Sequence, residues 1–353
     1  MRPNARPAFA THDGNEPIFV LGYQRSGTTL LQSMLGTHRN IAAPPELYFF
    51  VRIAALAPYY GDLRDDGNLR RVIKDTIEFP LGTFDSYDLD QDELFLSIAD
   101  GPRGYGDVLT ATMSAVAARQ GKRRWSEKSP GQSAGHVLSL VPQARLVHIV
   151  RDPRDVVAST LAVPWMTDGA RRIAIEVRRH MLDSIAVGTG AGPRRYTMIR
   201  YEDLTRDPEA VLRHVCGFIG EEFDPDMLDR TAPASAGTVI DIGRPWQEGI
   251  AKPVTSDRQG TWTHRLSRVE KARVAAVVHR ELAALGYETS QRRHRLAGAV
   301  LNRISQPADV SPLLEQRRFA RRFREEGPGV LKERLDEFIR LQGDRLDAPP
   351  SST

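Results

Sequence analysis

The chain has 353 residues, of which 41% are hydrophobic and 27% charged, and this globular composition excludes a mainly disordered protein. Its single cysteine, Cys216, excludes an internal disulfide framework and any zinc or iron–sulfur site built from cysteines. The formal net charge of +4 arises entirely from residues after position 290. Because the body is therefore neutral, no nucleic-acid partner is expected.

The sequence contains no segment that resembles a membrane anchor. No apolar run approaches the about 20 residues of a membrane helix, and residues 1–17 are polar and contain prolines, unlike a signal peptide. We therefore expect a cytoplasmic protein with a flexible leader over residues 1–16 and no transmembrane segment.

Strands and helices are predicted to alternate along most of the chain. Residues 17–22 form a short apolar run that ends at a glycine, as in a buried parallel strand. The same reading predicts further strands over 124–128, 144–150 and 196–200, and helices over 28–37 and about 155–161, 207–219 and 267–285. This alternation predicts an α/β fold with a doubly wound parallel sheet flanked by helices.

The composition shifts to an arginine-rich helical extension over residues 291–353, with a disordered end. Leu331, Leu335 and Phe338 lie on one face of its predicted helix. We expect this face to pack on its own domain or on a second subunit, which would give a homodimer through the C-terminal helices. Binding to a membrane surface or a polyanion is the alternative.

The first candidate site is the glycine-containing turn between the first predicted strand and its helix. Such a turn presents unpaired backbone N–H groups at the positive end of the helix dipole, which favours anions. Gly22 and Gly27 have the spacing of a Walker A loop, but Thr28 stands at its lysine position and the cation is Arg25. Because an ATPase needs that lysine, the turn is P-loop-like but indicates a different phosphate ester. A simple helix cap is the alternative.

The second candidate site follows the predicted strand over 144–150. Arg151 comes directly after this strand, at the carboxyl edge of the sheet, where ligands bind in open α/β folds. Ser159 lies in the helix that follows, so a guanidinium and a hydroxyl could hold one phosphate. A structural ion pair between the arginine and a neighbouring aspartate is the alternative.

The two segments, in this order, resemble the sulfotransferase family that uses 3′-phosphoadenosine 5′-phosphosulfate (PAPS). The resemblance implies that the R-S-G-T-T loop binds the 5′-phosphosulfate through Arg25, Ser26, Gly27, Thr28 and Thr29. It also implies that the R-D-P-R-D-V-x-x-S stretch binds the 3′-phosphate through Arg151 and Ser159.

Two later segments extend the resemblance over residues 17 to 287. A Y-E-D-L stretch places Tyr201 where the family has a tyrosine near the adenine. An R-x-G-x-W stretch resembles the family's late loop over the 3′-phosphate, and its residues are Arg258, Gln259 and Gly260. The resemblance therefore implies a sulfotransferase domain over residues 17–290.

Sulfuryl transfer to a hydroxyl requires a general base and positive charge near the leaving phosphate. Cytosolic small-molecule members of the family use a histidine from a K-T-H-x-P stretch, but the matching E-K-S-P stretch here has none. Tyrosylprotein-type and related bacterial members use a glutamate soon after the first helix, which implies Glu46 as the base and Lys128, with Arg25, as the cations. A helix-start carboxylate is the alternative role of Glu46, and His38 and His136 are the next candidate bases.

The resemblance implies direct in-line transfer of the sulfuryl group from PAPS to a hydroxyl acceptor, without a covalent enzyme intermediate and without a metal. The acceptor would be a small molecule, a glycan or a lipid, and partly apolar if the aromatic stretch over 47–60 borders its pocket. A P-loop nucleotide kinase or ATPase and a catalytically inactive PAPS-binding protein are the two alternatives.

Overall fold

A computed structural model describes residues 15–47, 49–78, 87–128, 134–163, 166–229 and 256–288. They divide into two compact units. Unit 1 is drawn from Met1–Val150 and Leu182–Ser256, and unit 2 from Arg151–Met181 and Asp257–Thr353. The arginine-rich extension over 291–353 and the leader up to residue 14 lie outside the described residues, so the predictions made for them remain predictions.

Unit 1 contains a parallel sheet of five strands in the order β2-β3-β1-β4-β5. The strands are β1 (Ile18–Leu21), β2 (Ile41–Ala42), β3 (Arg124–Lys128), β4 (Arg145–Val150) and β5 (Tyr196–Arg200). The central strand is β1, because Ile18 pairs with Ser126 of β3 on one side and with Arg145 of β4 on the other. Since all five strands are parallel, their carboxyl ends share one edge of the sheet.

Helices account for most of the remaining described residues. In chain order they are α1 (Thr28–Thr37), α2 (Phe49–Arg52), α3 (Ala57–Tyr60), α4 (Asp66–Glu78), α5 (Gln91–Ile98), α6 (Tyr105–Arg119), α7 (Ala134–Leu140), α8 (Pro153–Leu161), α9 (Ala170–Ala191), α10 (Tyr201–Arg206), α11 (Pro208–Ile219), α12 (Trp262–Arg265) and α13 (Arg268–Ala284). Short 3₁₀ turns lie at Ala54–Leu56 and Pro225–Leu228. Within the described ranges, no helix has both the length and the apolar content needed to cross a membrane.

The central strand is covered on both faces by apolar side chains of unit 1. Ile18 and Val20 belong to a core cluster that includes apolar residues of α1 and α11. On the opposite face, the ring of Phe19 lies edge-on to Phe50 and Trp125, at centroid distances of 6.1 and 5.6 Å. Because successive strand residues alternate between faces, β1 is buried on both sides, which explains its unbroken apolar sequence.

A polar network fixes the amino ends of the strands, at the edge opposite to their carboxyl ends. The buried Arg124 donates from Nη1 to Ile219 O at 2.6 Å and to Glu221 Oε1 at 3.2 Å, and from Nη2 to Glu16 O at 3.0 Å. Burial by itself would raise the pKa of Glu221. The hydrogen bonds from Asn40 and Arg124 outweigh that effect, so the pKa of Glu221 lies below its usual value.

Candidate active site

The loop between β1 and α1 turns through two residues with left-handed backbone angles, Arg25 at φ +69° and Gly27 at φ +102°. Gly27 is the N-cap of α1, and the N–H of Ser26 donates to Tyr23 O at 3.1 Å. The side chains of Ser26 and Thr28 are buried. This loop and Lys128, the last residue of β3, both lie at the carboxyl edge of the sheet.

The N-terminus of α1 differs from those of α5, α8 and α11, each of which is capped by an aspartate side chain. Glycine has no side chain that could cap α1, and the first turn of α1 contains no acidic residue. The positive end of this helix dipole is therefore not offset by a carboxylate from its own first turn, which favours a bound anion.

Both glycines of the loop are required by close approach of neighbouring atoms. A Cβ atom at Gly22 would lie 2.8 Å from the carbonyl oxygen of Ile149. A Cβ atom at Gly27 would lie 2.5 Å from Cδ2 of Tyr201, so the tyrosine ring packs directly against the loop backbone. The positive φ of Gly27 adds a second reason for glycine there. The structure thus brings Tyr201 to the predicted phosphosulfate loop.

A reciprocal pair of hydrogen bonds joins α1 to β3. Gln32 Nε2 donates to Ser126 O at 2.9 Å, and Ser126 Oγ donates to Gln32 Oε1 at 3.0 Å. Both side chains are buried, and the same Gln32 amide lies 3.5 Å from Pro44 O. Because buried hydrogen bonds are costly to break, α1, β3 and the segment that leads to Glu46 are held together.

Lys128 connects the candidate base to the loop. Its Nζ forms an ion pair with Glu46 Oε1 and donates to Thr29 Oγ1 at 2.7 Å. The side chains of Lys128 and Glu46 are only 10% and 17% exposed, so little solvent screens their charges. The structure therefore brings the predicted base, the predicted cation and the last residue of the predicted loop into contact.

His38, one of the two alternative bases, has a structural role. It is fully buried, and its Nδ1 accepts a hydrogen bond from Asn40 N at 3.1 Å. Its Nε2 lies 2.9 Å from Glu222 O, a distance at which it donates to that carbonyl. Both ring nitrogens of His38 are therefore engaged in structural hydrogen bonds. His136, by contrast, is exposed on α7.

In unit 2, the R-D-P-R-D and R-x-G-x-W stretches are in contact. Arg151 is buried and donates from Nη2 to the carbonyl oxygen of Arg258, whose own side chain is exposed. Ser159 is half-buried on α8, and Gln259 is half-buried in the late loop. Gly260 is exposed and has a φ of +67°.

Asp155 is a residue of this region that the sequence interpretation missed. Its Oδ2 accepts a hydrogen bond from Gly260 N at 2.7 Å, and its Oδ1 accepts from Thr261 Oγ1 at 3.0 Å and from Trp262 N at 2.9 Å. The signal available in the sequence was the second aspartate of R-D-P-R-D, which has no function in the motif interpretation based on Arg151 and Ser159.

Arg154 forms an ion pair with Asp152, which is the kind of structural role that was the alternative for Arg151. Its Nη2 lies 2.7 Å from Asp152 Oδ2, its Nη1 donates to Glu288 O at 3.0 Å, and its guanidinium lies 4.1 Å from the centre of the Trp262 ring. Asp152 also caps α8 by accepting from Arg154 N at 2.9 Å. This cap explains why α8 begins at Pro153 rather than near residue 155.

The aromatic stretch that follows Glu46 belongs mostly to the core. Leu47, Phe49, Ile53 and Tyr60 are each at most 2% exposed, whereas Tyr59 lies at the surface. These four positions therefore give no support to the expectation that this stretch lines an acceptor pocket.

Comparisons with known proteins give the family. The model of the sulfotransferase family matches residues 17–225, which is more than half of the chain. The nodulation protein NoeE of Sinorhizobium fredii is 26% identical over 307 residues, covering 80% of this chain and 68% of that protein. Carbohydrate sulfotransferase 5 of Homo sapiens is 29% identical over 173 residues, covering 40% of each chain.

The fold is also that of known sulfotransferases. The sulfotransferase domain of the Synechococcus PCC 7002 olefin synthase superposes with a TM-score of 0.51 at 24% identity, covering 79% of this chain and 98% of that domain. This similarity confirms the predicted P-loop-like α/β fold. The family match favours sulfuryl transfer over the alternative of a nucleotide kinase or ATPase. The chain belongs to the sulfotransferase family and is a sulfotransferase enzyme.

Proposed function

We propose that the protein transfers the sulfuryl group of PAPS to a hydroxyl acceptor by direct in-line displacement, with Glu46 as the general base. The observation that carries this proposal is the double contact of Lys128 Nζ with the Glu46 carboxylate and the Thr29 hydroxyl. A base, a cation and the end of an anion-binding loop lie together, which is the set of groups that sulfuryl transfer requires.

The loop residues fit an anionic phosphosulfate group. The backbone at Gly22 and Gly27 is packed so closely that a Cβ atom would clash, and α1 presents the uncapped positive end of its dipole. We assign the 5′-phosphosulfate to Arg25, Ser26, Gly27, Thr28 and Thr29.

The proposed chemistry assigns a separate role to each of four side chains, those of Glu46, Lys128, Arg25 and Thr29. Bound PAPS supplies a sulfuryl group linked to a phosphate leaving group. Glu46 accepts the proton of the acceptor hydroxyl while the oxygen of that hydroxyl forms a bond to sulfur. Lys128 and Arg25 stabilise the charge that develops on the bridging oxygen as the bond from sulfur to the leaving phosphate breaks. Thr29 holds the Lys128 ammonium in place, and no bond forms between sulfur and the enzyme.

The residues that would bind the adenosine part of the donor are assigned from the sequence motifs that resemble those of the family. We propose that Tyr201 lies beside the adenine, which its packing against Gly27 supports. We propose that the 3′-phosphate binds to residues of unit 2, namely Arg151, Ser159, Arg258, Gln259 and Gly260. The hydrogen bond from Arg151 to the carbonyl of Arg258 supports grouping these two segments.

The acceptor is proposed to be a carbohydrate or another small hydroxyl compound. The relative with a carbohydrate sulfotransferase name supports this class, and the buried aromatic stretch after Glu46 gives no support to an apolar acceptor. The alternative of a catalytically inactive PAPS-binding protein is disfavoured, because Glu46 and Lys128 are both present and in contact.

The test is transfer of label from PAPS that carries labelled sulfur in its sulfuryl group. The purified protein is incubated with this donor and a panel of saccharide, phenol and alcohol acceptors. We expect labelled acceptor and adenosine 3′,5′-bisphosphate in equal amounts, and loss of both with Glu46→Gln. Binding of the bisphosphate without transfer to any acceptor would instead support the inactive PAPS-binding protein.

A further inference from the structure

One carboxylate of unit 2 receives three hydrogen bonds from a single loop. Both oxygens of Asp155 are used, by Gly260 N, Thr261 Oγ1 and Trp262 N at 2.7–3.0 Å. Asp155 is only 1% exposed, so these bonds form away from water, where hydrogen bonds to a charged group are strong and their loss is costly.

The loop that these bonds hold is the R-x-G-x-W segment. Its first residue, Arg258, exposes its side chain and is held through its carbonyl oxygen by Arg151. Gly260 adopts a φ of +67° and would meet nothing within 4 Å if it carried a Cβ atom. The space around Gly260 therefore does not dictate this conformation, and its N–H is held by the hydrogen bond to Asp155.

We propose that Asp155 is a positioning residue for the 3′-phosphate site: it fixes the 258–262 loop in the shape that presents Arg258 and the backbone of Gln259 and Gly260 to that phosphate. This inference rests on the proposed function, because the phosphate belongs to the proposed donor. Asp155 itself does not touch the donor; as an anion that accepts three hydrogen bonds from the loop, it acts only through the loop.

The chain offers a matched pair of variants for the test. Thr261→Val removes a hydroxyl that donates to Asp155. Thr263→Val removes a hydroxyl two residues further on, which donates to the carbonyl of Gly260 at 2.7 Å and has no bond to Asp155. Asp155→Asn keeps the size of the side chain but turns an N–H group toward at least one loop donor, which breaks that hydrogen bond.

The measured quantity is the ratio of affinities for adenosine 3′,5′-bisphosphate and adenosine 5′-monophosphate, which differ only in the 3′-phosphate. For Asp155→Asn we expect bisphosphate binding to weaken by about ten- to a hundredfold and monophosphate binding to stay almost unchanged. Thr261→Val should lower the ratio in the same direction by about three- to tenfold, and Thr263→Val should leave it unchanged. Hydrogen–deuterium exchange should increase over residues 256–263 in the first two variants only.

The outcomes separate the inference from the proposed function. If the unaltered protein binds both nucleotides equally, the proposed donor is wrong. If it prefers the bisphosphate and both Asp155→Asn and Thr261→Val keep that preference, the positioning role of Asp155 is wrong. If Asp155→Asn fails to fold, the same affinity ratio is compared between Thr261→Val and Thr263→Val. A lower ratio in Thr261→Val alone supports the positioning role of Asp155, and equal ratios overturn it. A parallel loss of affinity for both nucleotides would show a general structural role and would also overturn the inference.

Discussion

Lys128 and Glu46 form an ion pair at the carboxyl edge of the sheet, and the Lys128 ammonium also donates to Thr29 of the predicted phosphosulfate loop. The position of the Lys128 ammonium therefore depends on both the Glu46 carboxylate and the Thr29 hydroxyl. If Glu46 is the base, the charges that favour proton removal and departure of the phosphate come from neighbouring residues of one unit.

The carboxylate of Glu46 is predicted to act in the chemical step. Glu46→Gln should lower turnover by about 10²- to 10⁴-fold, while binding of adenosine 3′,5′-bisphosphate stays nearly constant, because an amide cannot accept the proton. Glu93→Gln, which breaks the exposed ion pair with Arg119 on α6, is the control and should leave turnover intact. Normal turnover of folded Glu46→Gln would show that the glutamate is structural.

The ammonium of Lys128 is predicted to stabilise the departing phosphate. Lys128→Met, which keeps a long side chain without charge, should lower turnover by about 10²- to 10³-fold. Lys122→Met is a matched control, because the Lys122 ammonium binds Gly36 O at 2.6 Å and Ile41 O at 2.9 Å. This control should cost about 1–3 kcal/mol of unfolding free energy but preserve turnover per folded molecule. Equal turnover in the two variants would exclude a catalytic role for Lys128.

Arg25 is predicted to affect both nucleotide binding and turnover, whereas Arg151 is predicted to affect mainly nucleotide binding. Arg25→Ala and Arg151→Ala should each weaken bisphosphate binding by about ten- to a hundredfold. Arg25→Ala should also lower the turnover at saturating donor, because its charge is assigned to the reacting end of PAPS. Calorimetric titration and steady-state kinetics on the same preparations separate the two effects. Unchanged binding in both variants would show that the motif assignments are wrong.

The backbone shape of the loop is predicted to matter more than any one of its side chains. Gly27→Ala places a methyl group 2.5 Å from the Tyr201 ring at a φ of +102°, so bisphosphate and monophosphate binding should fall together. Gly121→Ala is the control, because Gly121 also has a positive φ but no atom within 4 Å of its Cβ position. Both variants carry a backbone strain of about 1–2 kcal/mol. Similar loss of binding in both would point to destabilisation of the fold rather than to the loop.

The network at the amino ends of the strands is predicted to make unfolding sensitive to acid. The pKa of Glu221 is below its usual value in the folded protein, so its contribution to stability is present above the pKa of an unfolded glutamate and is lost as the pH falls through the folded value. Glu221→Gln should lower the melting temperature at pH 7 and reduce its decrease at acidic pH. A melting curve whose pH dependence is identical to that of the unaltered protein would contradict this.

Much of the fold could be predicted because its strands are short and strongly patterned. The runs over 18–21, 145–150 and 196–200 and the helix over 28–37 appear where the apolar pattern placed them. Two strand residues, Ile41 and Ala42, were not predicted, because an element of that length has no detectable period. The helix α10 was not predicted either, because it begins directly at the end of β5 without a turn signal between them.

The candidate site could be predicted only as a set of motifs. The contact of Glu46 with Lys128 joins residues far apart in sequence, and no local pattern specifies it. The role of Asp155 was missed for a related reason, since its three donors come from a loop about a hundred residues later. An aspartate that accepts hydrogen bonds from distant backbone has the same sequence signature as an ordinary helix-start aspartate.

The central claim, that this sulfotransferase uses PAPS, is tested most directly by the melting temperature of the unaltered protein with two nucleotides. A ligand that binds only the folded state stabilises it by about 2.7 kcal/mol at a hundred times its Kd. We predict a clear rise in melting temperature with adenosine 3′,5′-bisphosphate and a much smaller one with ATP, which lacks the 3′-phosphate assigned to Arg151, Ser159 and Arg258. Equal shifts with both nucleotides, or no shift with the bisphosphate, would contradict the account.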